Sequence, residues 1–170
     1  VHVPGAGSAG NLLYVVVVTR PANVIDAVRS LFDPLVEVRP APPALRAGVG
    51  WNEYSREMSA LMRQSRVVAA AVALRALGYR VVLEPAPDGT GLMAPVAVAF
   101  GDGEVAGGSA GLIIALEVYA QLRPETFPRG RLIAGTGELG VDGRVHPVDG
   151  IVQKLAASIE AGAEGFLIPR

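Results

Sequence analysis

From Ser109 to Arg123 the chain reads Ser-Ala-Gly-Leu-Ile-Ile-Ala-Leu-Glu-Val-Tyr-Ala-Gln-Leu-Arg, apolar nearly all round. A helix of that composition has no polar face to turn toward water, so it belongs at the centre of a fold and must be covered on several sides. The rest of the chain has to supply that cover. With 170 residues, 51% of them hydrophobic, one domain burying roughly two-thirds of its unfolded surface is expected.

The same composition excludes several function classes. Fifteen basic and sixteen acidic side chains leave a formal charge of −1, no Lys/Arg stripe is visible, and aromatics are 5% of residues, which argues against nucleic-acid binding. There are no cysteines, so disulfides, thiolate catalysis and cysteine-based zinc sites are ruled out while the redox compartment stays open. His2 and His146 are the only histidines, which argues against a histidine metal site; no metal or cofactor is expected. The longest apolar runs, Leu12 to Val18 and Val67 to Leu74, fall short of the ~20 residues that span a bilayer, so the chain as it stands is expected to be soluble. It begins at Val1 without methionine, consistent with removal of an upstream signal, anchor or tag.

Residues 1–11 read as a loose lead-in. The β-branched run Leu12 to Thr19 suits a buried strand. Pro21-Ala22-Asn23 can open a short helix through Leu31, with Asn23 as N-cap and Asp26 in the first turn. Val36 to Val38 is a candidate strand, and Arg39 to Gly50 a proline-rich connection. Beyond Asn52, the recurrence of Met58, Leu61, Ser65, Val68, Val72 and Leu77 predicts a long helix closed by Gly78. Strands are predicted at Tyr79 to Leu83 and Pro95 to Phe100, with the turn-rich segment Glu84 to Gly91 between them. Arg131 to Gly135, Gly137 to Val141 and Arg144 to Pro147 read as strands, the last two joined by a hairpin turn at Asp142-Gly143. A helix over Gly150 to Ala161, ended by Gly162, precedes a final strand at Gly165 to Ile168. Helices and strands mix without strict alternation, which gives an α+β or mixed α/β class.

Two stretches, Gly5 to Gly10 and Gly135 to Gly140, match G-x-G-x-x-G. A dinucleotide site needs that turn to open a helix onto the pyrophosphate, whereas Gly10 leads into a strand and Gly140 into a hairpin. No P-loop motif occurs. Gly107-Gly108-Ser109-Ala110-Gly111 does open a helix, where unpaired N–H groups and the macrodipole can stabilise an oxyanion. Ser109 reads two ways, as a nucleophile among small residues or as a simple helix cap. The lone lysine, Lys154, also reads two ways. On its helix with Ile151, Val152, Leu155, Ala156 and Ile159 it is either a surface lysine or an inward one, whose burial would make it a base near neutral pH. His146, with Asp142 and Asp149 nearby in sequence, is a rival base of the Ser-His-Asp kind.

Residues 105–169 resemble the proteolytic domain of the Lon proteases. The resemblance rests on Gly-Gly-Ser-Ala-Gly at 107–111, Gly135-Thr136-Gly137-Glu138, Gly143-Arg144-Val145-His146-Pro147-Val148, and the run Ala161 to Pro169. Gln64 to Tyr79 resembles the helix before the catalytic core in such domains. Val16 to Pro21 and Asn23 to Pro34 are similar to the membrane-anchored, PDZ-bearing Lon-like proteases. The similarity covers about residues 12–170, as one domain. It implies the Lon, or ribosomal S5 domain 2-like, α+β fold and an ATP-independent serine endopeptidase acting on protein or peptide substrates. In that scheme Ser109 is the nucleophile, Lys154 the general base and Thr136 the residue that orients the lysine. Gly107, Gly108 and Ala110, with the Ser109 amide, surround the oxyanion. The resemblance further implies a homo-oligomer, with a hexameric ring among the forms relatives take. It implies a full-length protein anchored in a membrane with this domain extracytoplasmic.

The chain departs from the Lon pattern at Ala106, where ATP-dependent members usually carry aspartate, at Gly108, where proline is frequent, and at Asp149, where a second glycine is usual. Ala106 points to the ATP-independent branch. Segment 84–94 stands where PDZ-bearing relatives insert that domain, so Asp88 to Gly91 is expected to be a short replacement linker. The reading from a different class is a non-catalytic Lon-like assembly or binding module, against which the presence of both Ser109 and Lys154 counts.

Overall fold

A computed structural model describes residues 11–86, 89–101, 107–125 and 127–170. The apolar segment forms helix α4, Gly111–Leu122, and it is covered as its composition demands, with Ile113, Ile114, Ala115, Val118 and Ala120 all buried. Two elements do most of the covering. A 26-residue helix, α3 (Trp51–Ala76), lies along it and buries Met62, Val68, Ala69, Ala70, Ala73 and Leu74. The alanines matter because small side chains let two helix backbones approach closely, so Ala69, Ala70 and Ala73 share one cluster with Ile114, Ala115 and Val118.

The other cover is a three-stranded parallel sheet in the order β1-β4-β7, from β1 (Asn11–Tyr14), β4 (Leu132–Gly135) and β7 (Gly165–Leu167). Asn11 pairs with Leu132, and Ile133 with Gly165. Gly135 faces α4: a Cβ there would lie 2.7 Å from Ile113 Cδ1. Between β4 and β7 the chain makes the small hairpin β5 (Glu138–Leu139) and β6 (Val145–His146), then helix α5 (Ile151–Glu160), which packs on β4. The hairpin turns at Asp142-Gly143 as expected, and Gly143 adopts φ +81°, a conformation that favours glycine. The α+β class stands.

Helix α1, Val24–Arg29, starts at Asn23. Its Oδ1 accepts the Asp26 N–H and Asp26 Oδ2 accepts the Asn23 N–H, each at 3.0 Å, a reciprocal cap. Other expectations are corrected. The strand expected over Leu12 to Thr19 ends at Tyr14, because β4 offers four residues to pair with, and Val18 beyond it is 92% exposed. Val36 to Val38 forms no strand, and the proline-rich connection contains a one-turn helix, α2 (Pro43–Arg46).

Segment 84–94 is not a bare loop: β2 (Val82–Ala86) and β3 (Gly89–Met93) pair antiparallel, Glu84 opposite Gly91. The pair forms a sheet of its own, so each strand is an edge, where the missing N–H of Pro85 is tolerated. Residues 95–101 carry only an isolated bridge at Ala99 rather than a strand, although Val96, Val98 and Phe100 do alternate onto the core. The lead-in 1–10, the first G-x-G-x-x-G match, His2, Pro87, Asp88 and Ala106 lie outside the described residues.

Candidate active site

Ser109 lies two residues before α4, in a bend that begins at Gly107 with φ +88°. The helix N-cap is Ala110 and no side chain caps it, so the Ser109 hydroxyl is not spent on the helix end. The capping explanation of this serine is therefore set aside. The Ser109 carbonyl is held from the other side. It accepts the Gly137 N–H at 2.8 Å and the Thr136 hydroxyl at 3.1 Å, while Leu112 N–H returns a bond to Gly137 O.

Thr136 follows β4 directly. Its N–H donates to Leu167 O of β7, which extends the sheet one residue past the strand and leaves the side chain fully buried. Lys154 occupies the first turn of α5, its N–H donating to Gly150 O. Leu155 and Ile159 face out, and the lysine faces in, 3% exposed. The surface-lysine reading does not hold.

These three side chains meet. Lys154 Nζ donates to Thr136 Oγ1 at 3.0 Å and lies 3.2 Å from Ser109 Oγ. The Thr136 hydrogen is directed to Ser109 O, so its oxygen faces the lysine as an acceptor. A neutral amine that spends an N–H on Thr136 has its lone pair free for the Ser109 proton. Among the described residues Nζ has hydroxyl partners and no carboxylate partner. Burial accordingly pushes the Lys154 pKa below its ordinary 10.5, and the charge of Asp149 opposes that shift only in part.

Of the glycines expected around an oxyanion, Gly107 has its N–H engaged with Met58 O of α3 at 2.9 Å, so its amide cannot contribute. The N–H groups of Gly108, Ser109 and Ala110 have no acceptor among the described residues. The rival Ser-His-Asp set is not assembled. His146 is exposed on β6 opposite Glu138, Asp142 bonds Arg144, and Asp149 pairs with Arg39 at 2.5 Å. The second G-x-G-x-x-G match runs from the end of β4 into the hairpin and opens no helix.

A buried lysine, a buried threonine and a serine on a glycine-rich bend form this site, and the family model of the Lon protease (S16) C-terminal proteolytic domain matches residues 53–170, which contain all three. The chain belongs to the Lon proteolytic-domain family. Relatives of this Lon domain include archaeal Lon proteases. That of Halobacterium salinarum is 40% identical over 70 residues, covering 41% of this chain and 10% of the relative. Those of Archaeoglobus fulgidus and Pyrococcus abyssi are each 41% identical over 66 residues, covering 39% of this chain and 10% and 6% of the relatives. The chain thus matches a tenth or less of the length of these curated relatives. Membership of the Lon family supports peptidase activity in general.

Two features escaped the sequence reading. Arg39 bridges Glu37 and Asp149, and all three line a cavity of about 370 Å³ beside the start of α5, a contact between segments with no sequence signal. Ser65 on α3 reaches the Gly108 carbonyl at 3.1 Å. Its signal was present, since a serine in the apolar stripe of Met58, Leu61, Val68 and Val72 needs a buried partner.

Proposed function

We propose that this domain is an ATP-independent serine endopeptidase in which Ser109 attacks the peptide carbonyl and neutral Lys154 takes its proton. The observation that carries the reading is the position of the chain's only lysine, 3% exposed with Nζ 3.2 Å from Ser109 Oγ. As the Ser109 oxygen bonds to the carbonyl carbon, its proton passes to Nζ and negative charge gathers on the carbonyl oxygen. The intermediate collapses to an acyl-enzyme, and the lysine ammonium gives its proton to the departing amine. Water then releases the acyl group with Lys154 again as base. Thr136 holds the amine in line through its 3.0 Å bond. This sequence needs no nucleotide, which supports ATP independence of the hydrolysis itself.

A domain that only assembles or binds has no use for a buried lysine without a carboxylate, because burying that charge costs stability. Exposed Val152, Leu155 and Ile159 on α5 support self-association, for which a homo-oligomeric ring is the reading taken. Among the described residues no helix is long and apolar enough to cross a membrane. The similarity of segments 16–21 and 23–34 to the PDZ-bearing branch supports an anchored, extracytoplasmic full-length protein. The test is digestion of casein and a peptide library by this chain and by Ser109→Ala, with sequencing of fragments. Cleavage by the chain and none by the variant is expected; equal cleavage by both refutes the assignment.

A further inference from the structure

We propose that Ser65 is a positioning residue that aims the Ser109 N–H at the developing oxyanion. The inference rests on the Ser109–Lys154 reading and adds a residue from outside the reacting groups. Two serines of α3 make the case by contrast. Ser59 Oγ donates to Ser55 O at 3.0 Å, the local bond a helical serine forms when nothing else is offered. Ser65, 8% exposed, instead donates across to Gly108 O at 3.1 Å, and that carbonyl also accepts the Gly111 N–H at 3.2 Å.

A trans peptide is planar, with its C=O and N–H pointing in opposite directions. Drawing Gly108 O toward α3 therefore turns the Ser109 N–H away from α3, and that N–H has no acceptor among the described residues. The peptide after Ser109 is held independently by Thr136 and Gly137, as its carbonyl bonds show. Gly107 and Gly108 precede the nucleophile, and paired glycines make a peptide flip cheap, so an outside tether is required to keep one orientation. The helix supplies it at two points seven residues apart. The Met58 carbonyl, which points along the helix toward its C-terminus, takes the Gly107 N–H. Ser65, whose Cβ tilts toward the N-terminus, takes Gly108 O. Gly111 keeps room for the hydroxyl: a Cβ there would lie 2.9 Å from Ser65 Oγ.

One preorganised oxyanion donor contributes about a hundredfold to a thousandfold in kcat. Removing its tether, while the Gly111 N–H remains on Gly108 O, should forfeit part of that. The test uses Ser65→Ala and Ser65→Thr, with wild type and Ser109→Ala as references. The measurements are kcat and KM on a fluorogenic peptide across pH, and inhibition by a peptide trifluoromethyl ketone, whose hemiketal carries the oxyanion. Ser65→Ala is expected to lower kcat roughly tenfold to a hundredfold, a share of the donor's worth. KM and the pH midpoint should stay put, and the ketone should bind more weakly by the same factor. Ser65→Thr, which keeps a donor, should recover most of the loss. If Ser65→Ala does not fold, Ser65→Cys, with its weak S–H donor, takes its place. An unchanged kcat overturns the proposal, and so does a loss that arrives with a shifted pH midpoint, which would place the effect on Lys154. Wild type without Ser109-dependent turnover removes the proposed function together with this inference. Ser109-dependent turnover that Ser65→Ala retains in full removes the inference alone.

Discussion

Two polar clusters meet at the first turn of α5, and they work on opposite terms. In one, Arg39 joins Asp149 at 2.5 Å and Glu37 at 2.6 Å, with the Asp149 side chain 87% exposed. In the other, Lys154 meets Thr136 and Ser109 at 3.0 and 3.2 Å with almost no access to water. The first has more charge and shorter contacts, yet water and salt screen it and exposed pairs of this kind contribute little. The second has a single titratable group. Because that group has lost its hydration and gained only hydroxyls, its pKa falls and its chemistry changes. Burial, more than contact length, separates the two clusters.

The largest expected effect lies in the buried cluster. Ser109→Ala and Lys154→Ala should each lower kcat by at least about a thousandfold, since members of such a unit fail together; a peptidase assay on folded variants checks it. Thr136→Val preserves shape but removes the acceptor for Nζ and the donor to Ser109 O. A loss of roughly tenfold to a hundredfold is expected, on the scale of a misplaced catalytic base, with Thr136→Ser largely active.

Stability should move the other way. Below the folded-state pKa of Lys154 both folded and unfolded chains hold the proton, and the cost of burying the ammonium is felt in full. Between that lowered value and the ordinary 10.5 the unfolded chain binds more protons, so wild-type stability rises with pH. Lys154→Met should therefore melt higher than wild type at neutral pH, and the gap should narrow as pH climbs toward 10.5. The smallest effects belong to the exposed cluster. Arg39→Gln should change kcat by no more than about threefold, as for a screened surface pair. Asp149→Asn should move the activity midpoint slightly to lower pH, because it removes the charge that favours the protonated lysine. A large loss from Arg39→Gln would break the contrast between the clusters.

Much of this division was legible beforehand. The apolar run at 109–123 required a buried helix, whereas the glycines around Ser109 and a lysine among Ile151, Leu155 and Ile159 named the candidate residues without deciding between a dyad and a capping serine with a surface lysine. Asn23 announced itself as the N-cap with Asp26 in the first turn, and the structure adds the return bond, in which Asp26 accepts the Asn23 N–H. What stayed hidden depended on pairing partners that no single segment displays. The length of β1 is set by how much of β4 faces it, and the strands at 82–86 and 89–93 arise from mutual pairing that turn-rich composition conceals. The bond from the Gly107 N–H to Met58 O had no sequence signal, because its acceptor is a backbone atom within a helix, and such an atom leaves no trace in side-chain pattern. Lys154 was ambiguous for a related reason: periodicity assigns a face, but only the packing of α5 on β4 decides which face is dry.

The central claim is that a neutral, buried Lys154 activates Ser109. Its most direct measurement is the rate at which a peptide boronate modifies the chain as a function of pH, with the adduct located by mass spectrometry in wild type and Lys154→Ala. The account expects an adduct on Ser109 alone, at a rate that climbs to a plateau with a midpoint below 10.5 and is lost in the variant. Modification of Ser109 at the same rate without Lys154, or none at any pH in the folded wild type, would contradict it.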